Sequence, residues 1–256
     1  MGRKLVNSAC DEEEWLLNSG TLDHSGFFRK KKVQSALSER WLVHGWGEPN
    51  IHPPSFVSSG LKPLFAGILQ ADIERINSRR YRMLWEEKSA ESTLLTLKES
   101  DLPVPKANAS CDLFNKGKPM EIEIEKGWKI DGLRFVLLPV GLFKRLENAC
   151  SGLNAKISQD ERKSWPKVSD GFLAIALAAK KLFIAGEEIF LAADEDGWLD
   201  SCESYFSPRG LGSPISANSL DSHGGIELLF GDIPLPSLTI GFLAGAWVRC
   251  EGRPVK

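Results

Sequence analysis

Residues 118–153 read KPMEIEIEKGWKIDGLRFVLLPVGLFKRLENACSGL. Met120, Ile122 and Ile124 alternate with Glu121, Glu123 and Glu125, which predicts a strand with one solvated face. Lys126-Gly127 breaks the alternation, and Trp128–Leu138 resumes it as a second strand ending in the apolar run Phe135–Leu138. Pro139 stops that strand. From Val140 the period becomes helical: Leu142, Phe143, Leu146 and Ala149 share a face, and Gly152 ends the helix. The unit predicts an α+β fold with a small mixed or antiparallel sheet, compatible with a ferredoxin-like arrangement, a helical N-terminal layer and long loops. That layer, with an irregular lead-in, is expected over residues 1–105 and the α+β core over 106–256. The sheet is expected to hold strands near 120–125, 128–138, 188–192 and 226–230.

Upstream, residues 1–62 read as mostly irregular. Val33–Val43 has a helical period, with Leu37, Trp41 and Leu42 on one side, before the Gly- and Pro-rich segments that follow. Lys62–Glu99 reads as helix interrupted near Ser89, with Leu69, Ile73, Ile76 and Met83 as its buried stripe. Arg75, Arg79 and Arg82 would then share another face. Leu102–Gly117 reads as a boundary loop. Downstream, Asp170 is placed to cap a helix over Gly171–Ala185, closed by Gly186. Glu188–Ala193, Ile226–Phe230 and Leu238–Val248 read as strands, with Pro234 and Pro236 at a sheet edge. Ser207–Gly225, rich in Gly and Ser, reads as a functional or mobile loop.

The 256 residues are 42% hydrophobic and 26% charged, with a formal net charge of −2 and pI near 6.1. That balance excludes a protein coated in basic residues, so any nucleic-acid surface must be local. The five cysteines form no C-x-x-C pair, which points to scattered reduced thiols in a cytoplasmic protein rather than a zinc or redox motif. No signal peptide or membrane span is expected, because no apolar run reaches roughly 20 residues.

Ala192–Glu203 partly resembles an EF-hand calcium loop, with Asp194, Asp196, Gly197, Asp200 and Glu203 in register but Ala192 at the first ligand position. A hairpin across Asp196-Gly197 is the reading preferred there. The four histidines lack metal-ligand spacing, and Ser213, Asp221 and His223 have no nucleophile elbow. Glu121, Glu123 and Glu125 suit the wet side of an edge strand better than two-carboxylate hydrolysis. Arg209-Gly210-Leu211-Gly212 resembles the glycine-rich loop that CRISPR-associated RNA-binding proteins carry late in the chain. The likeness is confined to those residues, has no fixed spacing and places the chain in no family.

One feature points to a partner. Phe27-Phe28 is followed by Arg29, Lys30, Lys31 and Lys32, four cations whose mutual repulsion is relieved by an anion and whose aromatic neighbours suit base stacking. The chain is therefore expected to be a non-catalytic binding or assembly subunit of a cytoplasmic complex. It would contact RNA or DNA backbone through Arg29, Lys30, Lys31 and Lys32, joined by Arg79, Arg82 and Arg209, and would meet other protein subunits through tryptophans in loop-like context such as Trp46 and Trp165. No cofactor, metal or catalytic residue is assigned. The competing readings are a small hydrolase using His223 or Asp221 of the 207–225 loop with a sheet carboxylate, and a protein-only partner such as an inhibitor or immunity factor.

Overall fold

The computed structural model describes residues 2–58, 60–103, 123–124, 128–130, 133–150, 157–165, 167–231, 233 and 235–253. The class is α+β with antiparallel sheets, as the sequence predicts. The chain divides into two units, Met1–Leu146 and Glu147–Lys256.

The first unit is built on a buried helix. Helix α1 (Gly2–Leu16) and helix α2 (Arg29–Val43) lead into a short hairpin, β1 (Glu48–Asn50) with β2 (Ser55–Val57). Helix α3 (Lys62–Asn77) follows, with Pro63 in its first turn and nearly every side chain buried. Close approach of α1 to α3 is possible because Gly67 has no Cβ; one there would strike the Val6 carbonyl. Trp41, Trp46, Phe56 and Phe65 pack ring against ring, with Trp41 within 6.0 Å of the other three centroids. Ser78, at φ 54°, turns the chain out of α3 into β3 (Tyr81–Glu87) and β4 (Ser92–Glu99), giving a sheet of order β1-β2-β4-β3. A three-stranded meander, β5 (Glu123–Ile124), β6 (Trp128–Ile130) and β7 (Leu133–Phe135), precedes helix α4 (Val140–Cys150).

Several sequence expectations change here. The lead-in is not mostly irregular: α1 and α2 occupy about half of it. Trp46 is wholly buried, so it is a core residue rather than an interface anchor, while Leu42 is exposed. Lys62–Glu99 is a helix followed by a hairpin. The expected break at Ser89 is the hairpin turn, where Ser89 Oγ accepts from the Ser92 N–H at 3.0 Å. Trp128–Leu138 is two paired strands and an extended tail, not one strand. Residues 104–122, including Glu121 and most of the Leu102–Gly117 loop, lie outside the described residues, as do Glu125 and Gly152.

In the second unit, helix α5 (Gln159–Ser164) and helix α6 (Asp170–Ala185) are capped by Ser158 and Ser169, whose Oγ atoms accept from the Glu161 and Phe172 N–H groups. Helix α7 (Glu195–Phe206) is followed by β8 (Pro214–Ser219) paired with β9 (Ile226–Phe230), then by helix α8 (Pro236–Glu251). Glycines bring α8 against α6: a Cβ at Gly241 would strike the Ala176 carbonyl, and one at Gly245 would lie 2.7 Å from Phe183 Cβ. Phe183, Phe190, Trp198, Tyr205 and Phe206 form the aromatic part of this core.

The predicted α6 holds, with Ser169 rather than Asp170 as its cap. The strand at 188–193 does not form: Phe190 is buried, Ile189 and Leu191 are exposed, and no ladder joins them. Asp194 caps α7, accepting from the Gly197 N–H at 2.9 Å, so the acidic segment is neither a hairpin nor a calcium loop. Ser207–Gly225 contains β8, and the expected strand at 238–248 is α8, with Pro236 in its first turn. Among the described residues the one expected sheet is three, of four, three and two strands.

Candidate functional site

Helix α2 opens without a side-chain cap: Phe28 stands at the N-cap and the first turn has no acid. Exposed N–H groups at a helix start carry positive potential. Four cations add to it instead of balancing it. Phe27 is 103% and Phe28 68% exposed, their rings edge to face at 6.4 Å. Lys30, Lys31 and Lys32 are exposed and make no ion pair among the described residues. Arg29 differs from them: its guanidinium donates to the His24 carbonyl at 3.1 Å and the Ile76 carbonyl at 2.6 Å, tying the start of α2 to the last turn of α3.

The remaining sequence candidates are dispersed. Arg75 is paired with Asp23 at 2.5 Å and Arg79 with Glu99, both near the surface. Arg82 lies on β3 directly opposite Lys98, a like-charged cross-strand pair with both side chains exposed. The helical arginine stripe therefore does not exist, although Arg79 and Arg82 follow in the chain from the end of α3 that Arg29 contacts. Arg209, in the second unit, lies 3.8 Å over the Tyr205 ring and donates to the Tyr205 carbonyl at 2.6 Å. Its neighbours Gly210 and Gly212 take positive φ, so this glycine-rich segment is a tight exit from a short 3-10 turn.

A buried polar cluster in the first unit went unread in the sequence. Glu12, Glu13 and Glu14 of α1 are buried and meet three arginines from distant parts of the first unit. Arg145 Nε donates to Glu12 at 2.7 Å, and Arg40 grips Glu13 through two nitrogens at 2.7 and 2.9 Å. Arg80 joins Glu14 and Glu74, and Glu74 also accepts from Gln70 and from the Tyr81 backbone N–H. Asp72 Oδ2 accepts from Trp41 Nε1 at 2.9 Å, while Oδ1 has no donor among the described residues. Burial, with the charge of Glu13 behind it, holds Asp72 well above the carboxylate range, and burial also raises Glu13. Burial pushes Glu14 up to about 7 despite Arg80 and raises the Cys10 thiol well above its ordinary range.

Cys10, Glu14 and Glu74 bring ligand atoms within 4.8 Å of one another, the one such grouping of three among the described residues. Arg80 already lies on both carboxylates, so a metal would have to displace a guanidinium. The chemistry here is structural charge neutralisation. The hydrolase candidates in the second unit are arranged for a turn: Asp221 Oδ1 accepts from the His223 and Gly225 backbone N–H groups at 2.8 and 2.9 Å. Those bonds hold its carboxyl below the usual range. The His223 imidazole makes no hydrogen bond among the described residues.

No helix among the described residues is long and apolar enough to cross a membrane. The chain matches no family model, no curated protein and no solved structure.

Proposed function

We propose that this chain is a non-catalytic binding subunit of a cytoplasmic complex, holding the phosphate backbone of single-stranded RNA or DNA at the start of α2. The observation that supports it is the group of three exposed, unpaired lysines on an uncapped helix N-terminus beside two exposed phenylalanines. A helix start favours anions and disfavours cations by about 0.3–1 kcal/mol each, so Lys30, Lys31 and Lys32 destabilise the free chain locally. A phosphate reverses the sign of every one of those interactions. Phe27 and Phe28 supply faces for bases, worth roughly 1–3 kcal/mol per stacked base. Arg29 is the positioning residue, since its bonds fix where α2 begins.

The test is fluorescence anisotropy with labelled oligo(dT) and oligo(U), comparing the chain with K30E/K31E/K32E and F27A/F28A. The charge reversal is expected to weaken binding at least about tenfold at moderate salt, with far-UV circular dichroism unchanged because these side chains bury nothing. The phenylalanine variant should weaken binding by a similar factor. Equal affinity in the charge-reversed protein would end this reading. Partner capture that survives nuclease treatment would then favour the protein-only alternative.

A further inference from the structure

Side chains close several strand edges of this chain. Gln34 donates to the Pro49 carbonyl on β1 at 3.1 Å, and Gln70 and Arg3 donate to the Tyr81 and Met83 carbonyls on β3, each at 3.0 Å. In the second unit the Ser219 N–H, on the outer side of β8, donates to Glu195 of α7 at 2.6 Å. Closures of this kind keep an edge from taking up a foreign strand. The outer edge of β9 has none among the described residues. The Leu220 N–H donates to the Gly225 carbonyl at 2.8 Å, so the hydrogen-bonded pairs of this hairpin are Asn218 with Glu227 and Ser216 with Leu229. The backbone N–H and C=O groups of Ile226 and Leu228 point the other way, and none of them has a partner among the described residues.

The side chains of Ile226 and Leu228 line a cleft of about 630 Å³. A stripe of α8 at helical spacing, Ile240, Leu243, Ala244 and Trp247, lines it as well. An open edge beside an apolar cleft is the arrangement by which a sheet takes up an extended peptide, with main-chain bonds along the edge and alternate side chains in the pocket. Charge narrows the occupant. Glu227, on the opposite face of β9, is exposed and makes no ion pair among the described residues. Asp221 lines the cleft, and Arg253 is ion-paired with Glu251 at 3.7 Å, so the local balance is acidic. A cation placed across from Glu227 on an added strand forms a favourable cross-strand pair. A second copy of this chain would offer its own Ile226–Phe230, which contains no cation.

We propose that β9 takes up an extended segment of a partner protein as a third, antiparallel strand, its apolar residues turned into the cleft and alternating with lysine or arginine on the outer face. The site belongs to the second unit alone and does not rest on the nucleic-acid reading. In antiparallel pairing, the residues that exchange bonds with Ile226 and Leu228 carry their side chains on the same face as these two. The apolar residues of the peptide therefore supply the bonding N–H groups, and its basic residues turn theirs to solvent.

The probe is the fluorescein-labelled peptide KVKIKVK, titrated with the full chain and followed by anisotropy. N-methylation of its three apolar residues should weaken binding at least about tenfold, because it removes the main-chain donors that meet the edge. N-methylation of its lysines instead should leave binding unchanged. E227K should weaken binding, and I240R, at a position 37% exposed, should abolish it by placing a cation in the cleft. K30E/K31E/K32E should have no effect. Absence of binding by the parent peptide at millimolar concentration overturns the proposal, and so does an equal loss from the two methylation patterns. A dimer in sedimentation that I240R dissociates would also overturn it, by assigning the edge to a second copy. If I240R fails to fold, the methylation comparison decides.

Discussion

Glu14 ties the folded state to pH. Its carboxyl lies among Cys10, Glu74 and Arg80, and burial raises it from 4.5 to about 7. Between those values the folded chain keeps a proton that the unfolded chain releases. Stability is therefore fully present below about pH 4.5 and falls as pH rises toward 7, because the native state binds more protons across that window. The fall should be on the order of 3 kcal/mol in urea unfolding, added to any slope from Glu13 and Asp72, which burial shifts in the same direction. Glu14→Gln keeps an acceptor for Arg80 and has no proton to lose, so its profile should be flatter from pH 5 to 7. An unchanged slope would assign the effect elsewhere. Asp23, held low by Arg75, acts oppositely and only in more acidic solution, so the windows separate. None of this was legible in the sequence. The acids of α1 stand 27, 66 and 133 residues from the arginines they meet, and a run such as Asp11–Glu14 ordinarily reads as a solvated face.

The contact between α6 and α8 shows what periodicity can and cannot reveal. Helix α6 was legible because a polar approach precedes a long apolar run closed by Gly186. Helix α8 is apolar on nearly every side, and a buried helix of that kind has no amphipathic period to distinguish it from short strands. Its usable signal was the spacing of Gly241 and Gly245, one helical turn apart and both turned to α6. Likewise β3 and β4 alternate exposed and buried residues, but their apolar positions also fitted a continuation of α3. The run Arg29–Lys32 was plain in the sequence; that Arg29 is bound to the end of α3 while its three neighbours stay free was not, because the partner carbonyl belongs to Ile76. Gly241→Ala should destabilise the second unit by about 1–3 kcal/mol, the usual cost of overpacking, since the new methyl meets main-chain atoms that cannot swing aside. Gly231→Ala is the control: its Cβ would lie an ordinary 3.5 Å from Ile215. Denaturation midpoints for the two variants that coincide would remove the close approach as a source of stability.

For the whole molecule, the balance of charge limits how a polyanion is held. The net charge is −2, so the distant field repels nucleic acid, and attraction operates only within about a Debye length of the patch, roughly 10 Å at 0.1 M salt. The three free lysines can neutralise about three phosphates, each contributing about 0.7 to the salt slope on a single strand. The logarithm of the binding constant should therefore fall with the logarithm of salt concentration at a slope near −2. K30E/K31E/K32E should bring the slope close to zero, whereas F27A/F28A should lower affinity equally at all salt concentrations, because stacking releases no counterions. A slope near −3.5 would require a wider footprint that recruits Arg82 and Lys98, whose facing positive charges on β3 and β4 are the next cations along the chain from α3 with no ion pair among the described residues. A flat slope in the unaltered protein would mean that no phosphate is neutralised, and the lysines would then be a solvated helix start with no ligand.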